Sequence, residues 1–400
     1  MENKGQIKIA VIGGGISGLC MTKLLLLKGY DVTLFEAQHR LGGRIKGGAG
    51  CGQKIDLGAQ WLHQVGDEEN SLTAILKEHN EPYTIDEEIL ECIPAPAIFD
   101  DFITYIAQKT FAADQPLSLS IKEYSDDPLL ESYMEASLID MASSADRFSS
   151  IEYVKLIDSI TPDDYQLVNR TMYEFISSYF SDIPRDRVLL GTPVISIRYA
   201  YNHAAIITAK GEEHVFNKVI ISVPLSQLQQ EKIQFIPALP PEKRAAFQEI
   251  GMGTGLKFFL FFKESILDAP SVNNKFAPYY LQKKMGSYFV VISLLMGRFA
   301  DKYYKDPETY RQEILKEIST LANRDVTSLL EDAVFHDWGH EPFIEGTYSF
   351  PAPGEGNARE MAAAPVDNTI FFIGEAMNTE LEYGFIHGAM DTALKLSREF

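Results

Sequence analysis

The start of the chain alternates between strand-like and helix-like patterns of apolar positions. Residues 7–12 (Ile-Lys-Ile-Ala-Val-Ile) form a short apolar run that predicts a buried strand, and a cluster of glycines follows it. A helix is expected from about Ser17 to Lys28, ended by Gly29, and a second strand from Asp31 to Phe35. A strand, a helix and a strand in this order predict a βαβ unit, the beginning of a doubly wound sheet.

The pattern changes between about Asn70 and Pro184. Segments such as Ser71–His79 and Asp164–Phe180 carry apolar residues at helical spacing, together with many aromatic and acidic residues. We therefore expect a mostly helical insertion in this part of the chain.

Strand-like patterns return in the second half of the chain. The predicted strands are Val188–Leu190, Val194–Tyr199, Ala205–Thr208, Val219–Val223, Leu256–Phe262, Tyr288–Leu295 and Thr369–Ile373. The proline-rich residues 236–243 predict a crossing between domains, Tyr310–Ala322 predicts a helix, and a last helix is expected from about Gly388. This order predicts an α/β protein whose first domain is built from three separate segments of the chain, with a second domain inserted between them.

The glycine cluster between the first strand and the first helix is a candidate dinucleotide-binding turn. It reads Gly13-Gly14-Gly15-Ile16-Ser17-Gly18, and Glu36 ends the next strand. Gly13 permits the tight turn, Gly15 lets a pyrophosphate approach the backbone, and Gly18 lets the helix pack on the strand. Glu36 would accept hydrogen bonds from ribose hydroxyls, and its charge favours FAD or NAD over NADP.

Composition narrows the classes of partner. The chain has 400 residues, 46% of them hydrophobic, and a formal net charge of −20. This hydrophobic share excludes a disordered acidic chain, and the acidic balance argues against a nucleic-acid partner. The charge favours cationic ligands, or it serves solubility alone. Three cysteines without a CxxC pair predict neither a disulfide framework nor a zinc site and fit a reducing, cytoplasmic setting, and we expect no membrane span.

Six sequence blocks, in order along the chain, resemble the FAD-dependent flavin amine oxidase family, which includes polyamine oxidases, monoamine oxidases and lysine-specific histone demethylases. The blocks are Glu36-Ala37-Gln38-His39-Arg40-Leu41-Gly42-Gly43-Arg44, Gly58-Ala59-Gln60-Trp61-Leu62-His63, Gly191-Thr192-Pro193-Val194, Val219-Ile220-Ile221-Ser222-Val223-Pro224, Trp338 through Ser349, and Phe372-Ile373-Gly374-Glu375 with Gly384-Phe385-Ile386-His387-Gly388-Ala389. Polyamine oxidases are the most similar branch, because His63 follows the pattern G-A-x-W-x-H.

The resemblance implies a set of residues that bind FAD. They are Gly13, Gly15, Ser17, Gly18, Glu36, Arg44, Gly58, Ala59, Gln60, Trp61, Val194, Trp338, Glu375 and Ile386. Thr347 stands where monoamine oxidases have the cysteine that links the flavin, so the FAD is expected to be non-covalent.

The resemblance also implies four catalytic residues. Lys257 matches the lysine that holds a water at flavin N5, and Tyr348 and Phe385 match the aromatic pair that encloses the substrate amine. His63 is expected to hydrogen-bond a substrate amine, with a structural role as the alternative. The segment around His63 has no arginine of the kind that amino-acid oxidases use for a substrate carboxylate, which disfavours a carboxylated substrate.

These observations predict a Rossmann-type FAD-binding domain (1–75, 186–235 and 346–400) with an inserted α+β substrate-binding domain (76–185 and 236–345), a mixed sheet flanked by helices. The expected activity is oxidation of an amine, first of all a polyamine, by hydride transfer to flavin N5, imine hydrolysis and reoxidation by oxygen with release of peroxide. A monoamine oxidase, an amine dehydrogenase with another electron acceptor and a flavin-bearing interaction protein with little turnover remain alternatives. The acid pairs Asp126-Asp127 and Asp163-Asp164 are candidates for an entrance, or solvated surface.

Overall fold

The computed structural model describes residues 6–63, 65, 70–86, 96–157, 164–269, 271–272 and 276–400. The strands within them are β1 (Lys8–Ile12), β2 (Asp31–Phe35), β3 (Gly47–Gly50), β4 (Gln53–Asp56), β5 (Trp61–Leu62), β6 (Tyr83–Ile85), β7 (Tyr165–Leu167), β8 (Val188–Leu189), β9 (Val194–Ala200), β10 (His203–Thr208), β11 (Glu213–Phe216), β12 (Lys218–Ile221), β13 (Gln234–Ile236), β14 (Gly251–Met252), β15 (Gly255–Phe262), β16 (Ser271–Val272), β17 (Tyr279–Met285), β18 (Tyr288–Met296), β19 (Leu330–Asp337), β20 (Ser349–Phe350) and β21 (Ile370–Phe372).

The helices of the described residues connect and cover these strands. They are α1 (Ile16–Leu27), α2 (Ser71–Glu78), α3 (Ala97–Gln108), α4 (Leu117–Tyr124), α5 (Pro128–Ser137), α6 (Ser150–Ile157), α7 (Met172–Tyr179), α8 (Leu225–Gln229), α9 (Pro241–Glu249), α10 (Arg298–Lys305), α11 (Pro307–Leu321), α12 (Ala358–Ala363) and α13 (Ile386–Ser397). Short 3-10 helices include Leu138–Met141.

The first sheet is parallel, with the strand order β21-β12-β1-β2-β8. Both of its faces are covered, so nearly every residue of β1 is apolar and buried. Ile9 and Val11 pack against α1 and α13 on one face. Ala10 and Ile12 pack on the other face against the sheet β11-β10-β9-β13. This arrangement confirms the predicted βαβ unit and the α/β fold class.

The second large sheet has the order β16-β17-β18-β15-β19 and antiparallel pairing throughout. Its central strand β15 is buried along its whole length, with four phenylalanines between Phe258 and Phe262. One hydrophobic core joins this strand to Phe299 and Tyr303 of α10 and to Ile314 of α11. The lysine at position 257 therefore lies in a strand that is otherwise apolar.

The region between residues 75 and 185 is mostly helical in its described part, as predicted, but one of its segments differs from the prediction. Helices α3 to α6 form a core of their own around Phe102 and Phe148. Residues 165–167 were predicted to be helical, but they form the strand β7. This strand pairs with β5 and β6 in a three-stranded sheet. The helix begins only at Met172, where Thr171 and Glu174 form a capping box.

The predicted crossing at 236–243 is shorter than expected. Its first residue ends β13, which pairs in parallel with β9, and Pro241 already opens α9. The remaining predicted strands and helices occur within a few residues of their expected bounds. None of the helices in the described part of the chain combines the length and the apolar character that a membrane span needs.

Candidate functional site

One large cavity runs from the first parallel sheet to the second large sheet. Its volume of about 820 Å³ lies near the upper end of the range for ligand pockets, about 300–1,000 Å³. All but one of the residues predicted for the site line it: Gly13, Gly15, Ser17, Glu36, Arg44, Gly58, Ala59, Gln60, Trp61, His63, Val194, Lys257, Trp338, Tyr348, Glu375, Phe385 and Ile386. Gly18 is the exception, and it lies behind the turn.

Three of the four glycines in the glycine turn have clearly different surroundings. Gly13 has a φ of +106°, and a Cβ there would lie 2.6 Å from the carbonyl oxygen of Ser222. A Cβ on Gly18 would lie 2.0 Å from the carbonyl oxygen of Gly13, so this glycine lets α1 pack closely on the turn. A Cβ on Gly15 would meet no atom within 4 Å, because this residue faces the cavity.

The N-terminus of α1 opens into the cavity beside Gly15. Gly15 is the N-cap and offers no side chain to the free backbone N–H groups, and the first turn contains no acidic residue. Free N–H groups and the helix dipole favour an anion at this position. The N-terminus of α13 at Ile386 is built in the same way, with Phe385 as an N-cap that makes no side-chain hydrogen bond.

Glu36 lies at the end of β2, next to the glycine turn. Its carboxylate accepts hydrogen bonds from the backbone N–H of Gly14 (2.5 Å) and of Gln38 (2.7 Å). Burial raises the pKa of Glu36, against the opposing effect of these hydrogen bonds. The lining beside it includes Val194, so a carboxylate and an apolar wall meet at this end of the cavity.

Arg44 and Glu375 form an ion pair on the cavity wall, with Nη1 and Oε1 2.7 Å apart. Glu375 also accepts from the Ser349 hydroxyl (2.7 Å) and from the backbone N–H of Gly384 (3.0 Å). Burial alone would raise the pKa of Glu375, but the charge of Arg44 and the Ser349 hydrogen bond hold it below its usual value. The pair therefore fixes the loop before α13 against the wall that carries Arg44.

Three buried polar atoms on the cavity wall have no hydrogen-bond partner among the described residues. They are Thr347 Oγ1, Gln227 Nε2 and the Tyr383 hydroxyl. Buried polar groups normally have a partner, so these atoms indicate a polar ligand in the cavity. Together with the open space at Gly15 and the two uncapped helix N-termini, they fit an extended anionic dinucleotide.

Lys257 lies at the far end of the cavity and is almost fully buried. Its Nζ donates to the carbonyl oxygens of Asp56 (3.0 Å) and Gly58 (3.3 Å) and to Gln60 Oε1. The ammonium lies 4.8 Å from the centre of the Trp61 ring. Burial lowers the pKa of Lys257 to about 7, although the charge of Asp56 opposes this change.

Trp338, Tyr348 and Phe385 line the same cavity as this lysine. The Trp338 indole donates to the carbonyl oxygen of Leu57 (3.0 Å). The Tyr348 hydroxyl donates to the carbonyl oxygen of Ile139 (3.4 Å). A Cβ on Gly384, the residue before Phe385, would contact the Tyr348 ring. The two aromatic residues are thus held by neighbouring segments.

His63 and two aspartates add polar groups near the aromatic residues. The His63 ring lies 5.0 Å from that of Phe385, and its Nδ1 is 2.5 Å from Asp164 Oδ1. Although burial lowers the pKa of His63, the hydrogen bond to Asp164 raises it above its usual value. Asp140 also lines the cavity, and enclosure by the protein and the charge of Asp164 raise its pKa to about 7.

The two acid pairs named from the sequence have different surroundings. Asp164 is in the cavity wall, whereas Asp163 lies outside the described residues. Asp127 caps α5 by accepting from the backbone N–H of Leu129 (2.9 Å), and Asp126 is exposed away from the cavity. Sequence reasoning did not find Asp140, which follows α5 in a region without a recognised motif.

Comparisons with known proteins give the family of this chain. The family profile described as "Flavin containing amine oxidoreductase" matches residues 165–399, and a profile for an NAD(P)-binding Rossmann-like domain matches residues 11–78. Polyamine oxidase 4 of Oryza sativa subsp. japonica is 25% identical over 98% of this chain and 88% of its own length. Polyamine oxidase 2 of Arabidopsis thaliana is also 25% identical, over 98% of this chain and 87% of its own length.

A solved structure supports the fold as a whole. Putrescine oxidase bound to putrescine superposes with a TM-score of 0.78 at 17% sequence identity, over 98% of each chain. The family profile covers more than half of the present chain. The chain therefore belongs to the family of flavin-containing amine oxidoreductases, with FAD as its cofactor.

Proposed function

We propose that this protein is an FAD-dependent oxidase whose substrate is a polyamine, an amine with at least one further cationic nitrogen. The observation that supports this substrate class is the pair of carboxylates, Asp140 and Asp164, in the same cavity wall as the aromatic residues Tyr348 and Phe385. The polyamine oxidases among the relatives support the same class. The free thiols of Cys20 and Cys51 support a cytoplasmic location.

The residues that would hold FAD follow from the cavity wall. The N-terminus of α1 and Arg44 would hold the pyrophosphate, Glu36 the adenosine ribose, and the N-terminus of α13 at Ile386 the flavin. When bound, FAD would supply the acceptor for a hydride from the carbon next to the amine nitrogen, and its reoxidation by oxygen would give hydrogen peroxide. Thr347 offers no thiol for a covalent link, which supports a non-covalent cofactor.

The aromatic residues would bind and orient the reacting amine. Tyr348 and Phe385 present ring surface to the cavity, and aromatic rings attract amines while excluding water. The amine must lose its proton before hydride leaves the adjacent carbon, because a protonated nitrogen has no lone pair to stabilise the developing positive charge. Water then adds to the product imine, which divides into an aldehyde and a shorter amine.

Lys257 would hold a water molecule through its Nζ. As an ammonium it donates all three of its protons to Asp56, Gly58 and Gln60. As a neutral amine it has a lone pair that can accept a hydrogen bond from water. A pKa of about 7 makes this second form available near neutral pH.

A panel of amines tests the proposed function. Purified protein should be yellow, and spermine, spermidine or their acetylated forms should bleach the flavin without oxygen and yield peroxide with it. Bleaching by monoamines alone would indicate a monoamine oxidase, and bleaching without peroxide a dehydrogenase. A flavin that no amine bleaches would support an interaction protein and contradict the proposal.

The substitution Asp140→Asn is expected to weaken polyamine binding about tenfold or more. The substitution removes a negative charge from the cavity, and hydrogen bonds between charged groups contribute about 1.5–3 kcal/mol. Binding of a monoamine such as benzylamine should change little. At pH 8, the dependence of the anaerobic bleaching rate on polyamine concentration gives the dissociation constant of the polyamine, and competition by benzylamine gives that of the monoamine.

The control for this variant is Asp126→Asn, which makes the same change of charge at an exposed site away from the cavity. Equal losses in the two variants would mean that only the overall charge attracts the substrate. The wild-type dissociation constant for a polyamine should also rise as the pH falls below about 7, because Asp140 is then protonated. Asp140→Asn should reduce this pH dependence.

A further inference from the structure

A second buried ion pair lies behind the cavity wall. Asp86, directly after β6, has no solvent exposure, and its Oδ2 accepts hydrogen bonds from Lys283 Nζ and from the Trp61 indole (2.8 Å). Its Oδ1 has no hydrogen-bond partner among the described residues. Its backbone N–H donates to the carbonyl oxygen of Asp164 (2.8 Å). One buried residue thus contacts two residues of the cavity wall.

Lys283 comes from the other large sheet. It lies on β17, and its Nζ also donates to Gln166 Oε1 (3.2 Å). Gln166 is the partner of Trp61 in the pairing of β7 with β5. The lysine therefore joins the second large sheet to the three-stranded sheet that carries Trp61 and leads to His63.

Stability alone does not explain the buried ion pair of Asp86 and Lys283. A buried ion pair is costly to desolvate, and apolar residues of similar size are often as stable in its place. In this protein the carboxylate also orients an indole, and that indole stacks near the Lys257 ammonium at 4.8 Å. The ion pair is thus one residue removed from the lysine of the proposed reaction.

We propose that Asp86 and Lys283 are positioning residues for amine oxidation, which fix the Trp61 indole against Lys257 and set the charge of Lys257 from opposite directions. This inference rests on the function proposed above. The negative charge of Asp86 favours the ammonium form of Lys257, whereas the positive charge of Lys283 disfavours it. The two residues therefore oppose each other in their effect on the same proton.

Other groups also face Lys257, and they are unchanged in the variants below. Asp56 at the end of β4 favours the ammonium, and the Gln60 side chain accepts from it. On β19, His336 is the residue paired with Lys257, and burial lowers its pKa to about 4, so that it is neutral near pH 7. On β18, the paired residue is the uncharged Leu294.

The positioning of Trp61 is tested by NMR of the holoenzyme with ¹⁵N-labelled tryptophan. The chain has two tryptophans, so Trp61→Phe identifies the two indole signals. Asp86→Asn should move the Trp61 indole proton upfield, because a neutral acceptor makes a weaker hydrogen bond than a carboxylate. The Trp338 signal, whose donor bonds to Leu57, serves as the internal control. An unmoved Trp61 signal would overturn the proposal.

The effect on Lys257 is tested by its titration in the holoenzyme with ¹³Cε-labelled lysine, assigned by loss of the signal in Lys257→Met. Lys283→Met should raise the titration midpoint and Asp86→Asn should lower it, each by about half a pH unit or more. The double variant, which keeps no buried charge unpaired, should return toward the wild-type value. Equal or absent shifts of the titration midpoint in the two single variants would contradict the proposal. Purely structural damage does not predict that the two midpoints shift in opposite directions.

These readouts need no turnover, so they separate this inference from the proposed function. If no amine bleaches the flavin, the function fails while the two NMR measurements still decide on the positioning residues. If amines do bleach it, the pH profile of flavin reduction should shift in the same directions as the Lys257 midpoint. Should Asp86→Asn fail to fold, Asp86→Leu combined with Lys283→Met offers an apolar pair for the same indole and titration measurements.

Discussion

Replacing Lys257 by methionine is expected to slow amine oxidation about 100-fold while the fold and the bound FAD remain. A positioned group that holds or transfers a proton typically contributes 10²–10⁴-fold to a rate. Methionine has nearly the length of lysine and is apolar, so it suits the buried strand β15. It offers no donor or lone pair at the position of Nζ. Stopped-flow measurements of flavin bleaching by spermine, and of reoxidation by oxygen, show which step is slowed.

The chain provides a matched control in Lys243. This lysine is also buried, burial lowers its pKa to about 7, and its Nζ donates to the carbonyl oxygens of Met361 and Ala362. It lies outside the cavity wall. Lys243→Met should lower the melting temperature without changing the rates. If Lys257→Met keeps wild-type rates, or if both variants lose rate equally, Lys257 has no special part in the reaction.

The pH profile gives a second check of the same role. In the wild type, the rate of the lysine-dependent step should rise as the pH passes about 7, because neutral Lys257 accepts a hydrogen bond from water. The methionine variant has no group that titrates at this position. Its profile should therefore lack that rise and keep only the titration of the substrate amine.

Local patterns were enough to predict the first parallel sheet. The strand at 7–12, the glycine turn and the helix after it are decided by neighbours in sequence, and they occur as expected. The prediction of a helix at residues 165–167 was wrong because the aromatic and apolar residues there suit a helix as well as a strand. Its state is decided by pairing with β5 and β6, which are distant in sequence.

The candidate site shows the same division. Residues in recognisable blocks, such as Arg44 and Glu375, were predicted from the sequence, and the structure places them on the cavity wall. Asp140 and the pair of Asp86 with Lys283 were not found, because nothing near them in sequence marks them. Each acquires its neighbours only when separate elements pack: Asp86 and Lys283 are 197 positions apart along the chain.

Replacing Gly15 by alanine is expected to weaken FAD binding about 100-fold while the apoprotein stays as stable as the wild type. The backbone at Gly15 has a φ of −73°, which alanine adopts freely, and its Cβ would meet no protein atom within 4 Å. The added methyl group would instead occupy the space where the pyrophosphate approaches the N-terminus of α1. Loss of one or two hydrogen bonds to a charged group, at about 1.5–3 kcal/mol each, corresponds to this factor.

Alanine at Gly18 is the contrasting variant, because it makes the same chemical change three residues further along the same turn. Its Cβ would lie 2.0 Å from the carbonyl oxygen of Gly13, so α1 must move away from the turn. We expect Gly18→Ala to lower the stability of the apoprotein as well as FAD binding. Thermal unfolding of both apoproteins and fluorescence titration with FAD separate the two effects. Wild-type FAD affinity in Gly15→Ala would mean that the pyrophosphate does not approach this residue, and the assignment of the cavity's glycine-lined end to the cofactor would have to be abandoned.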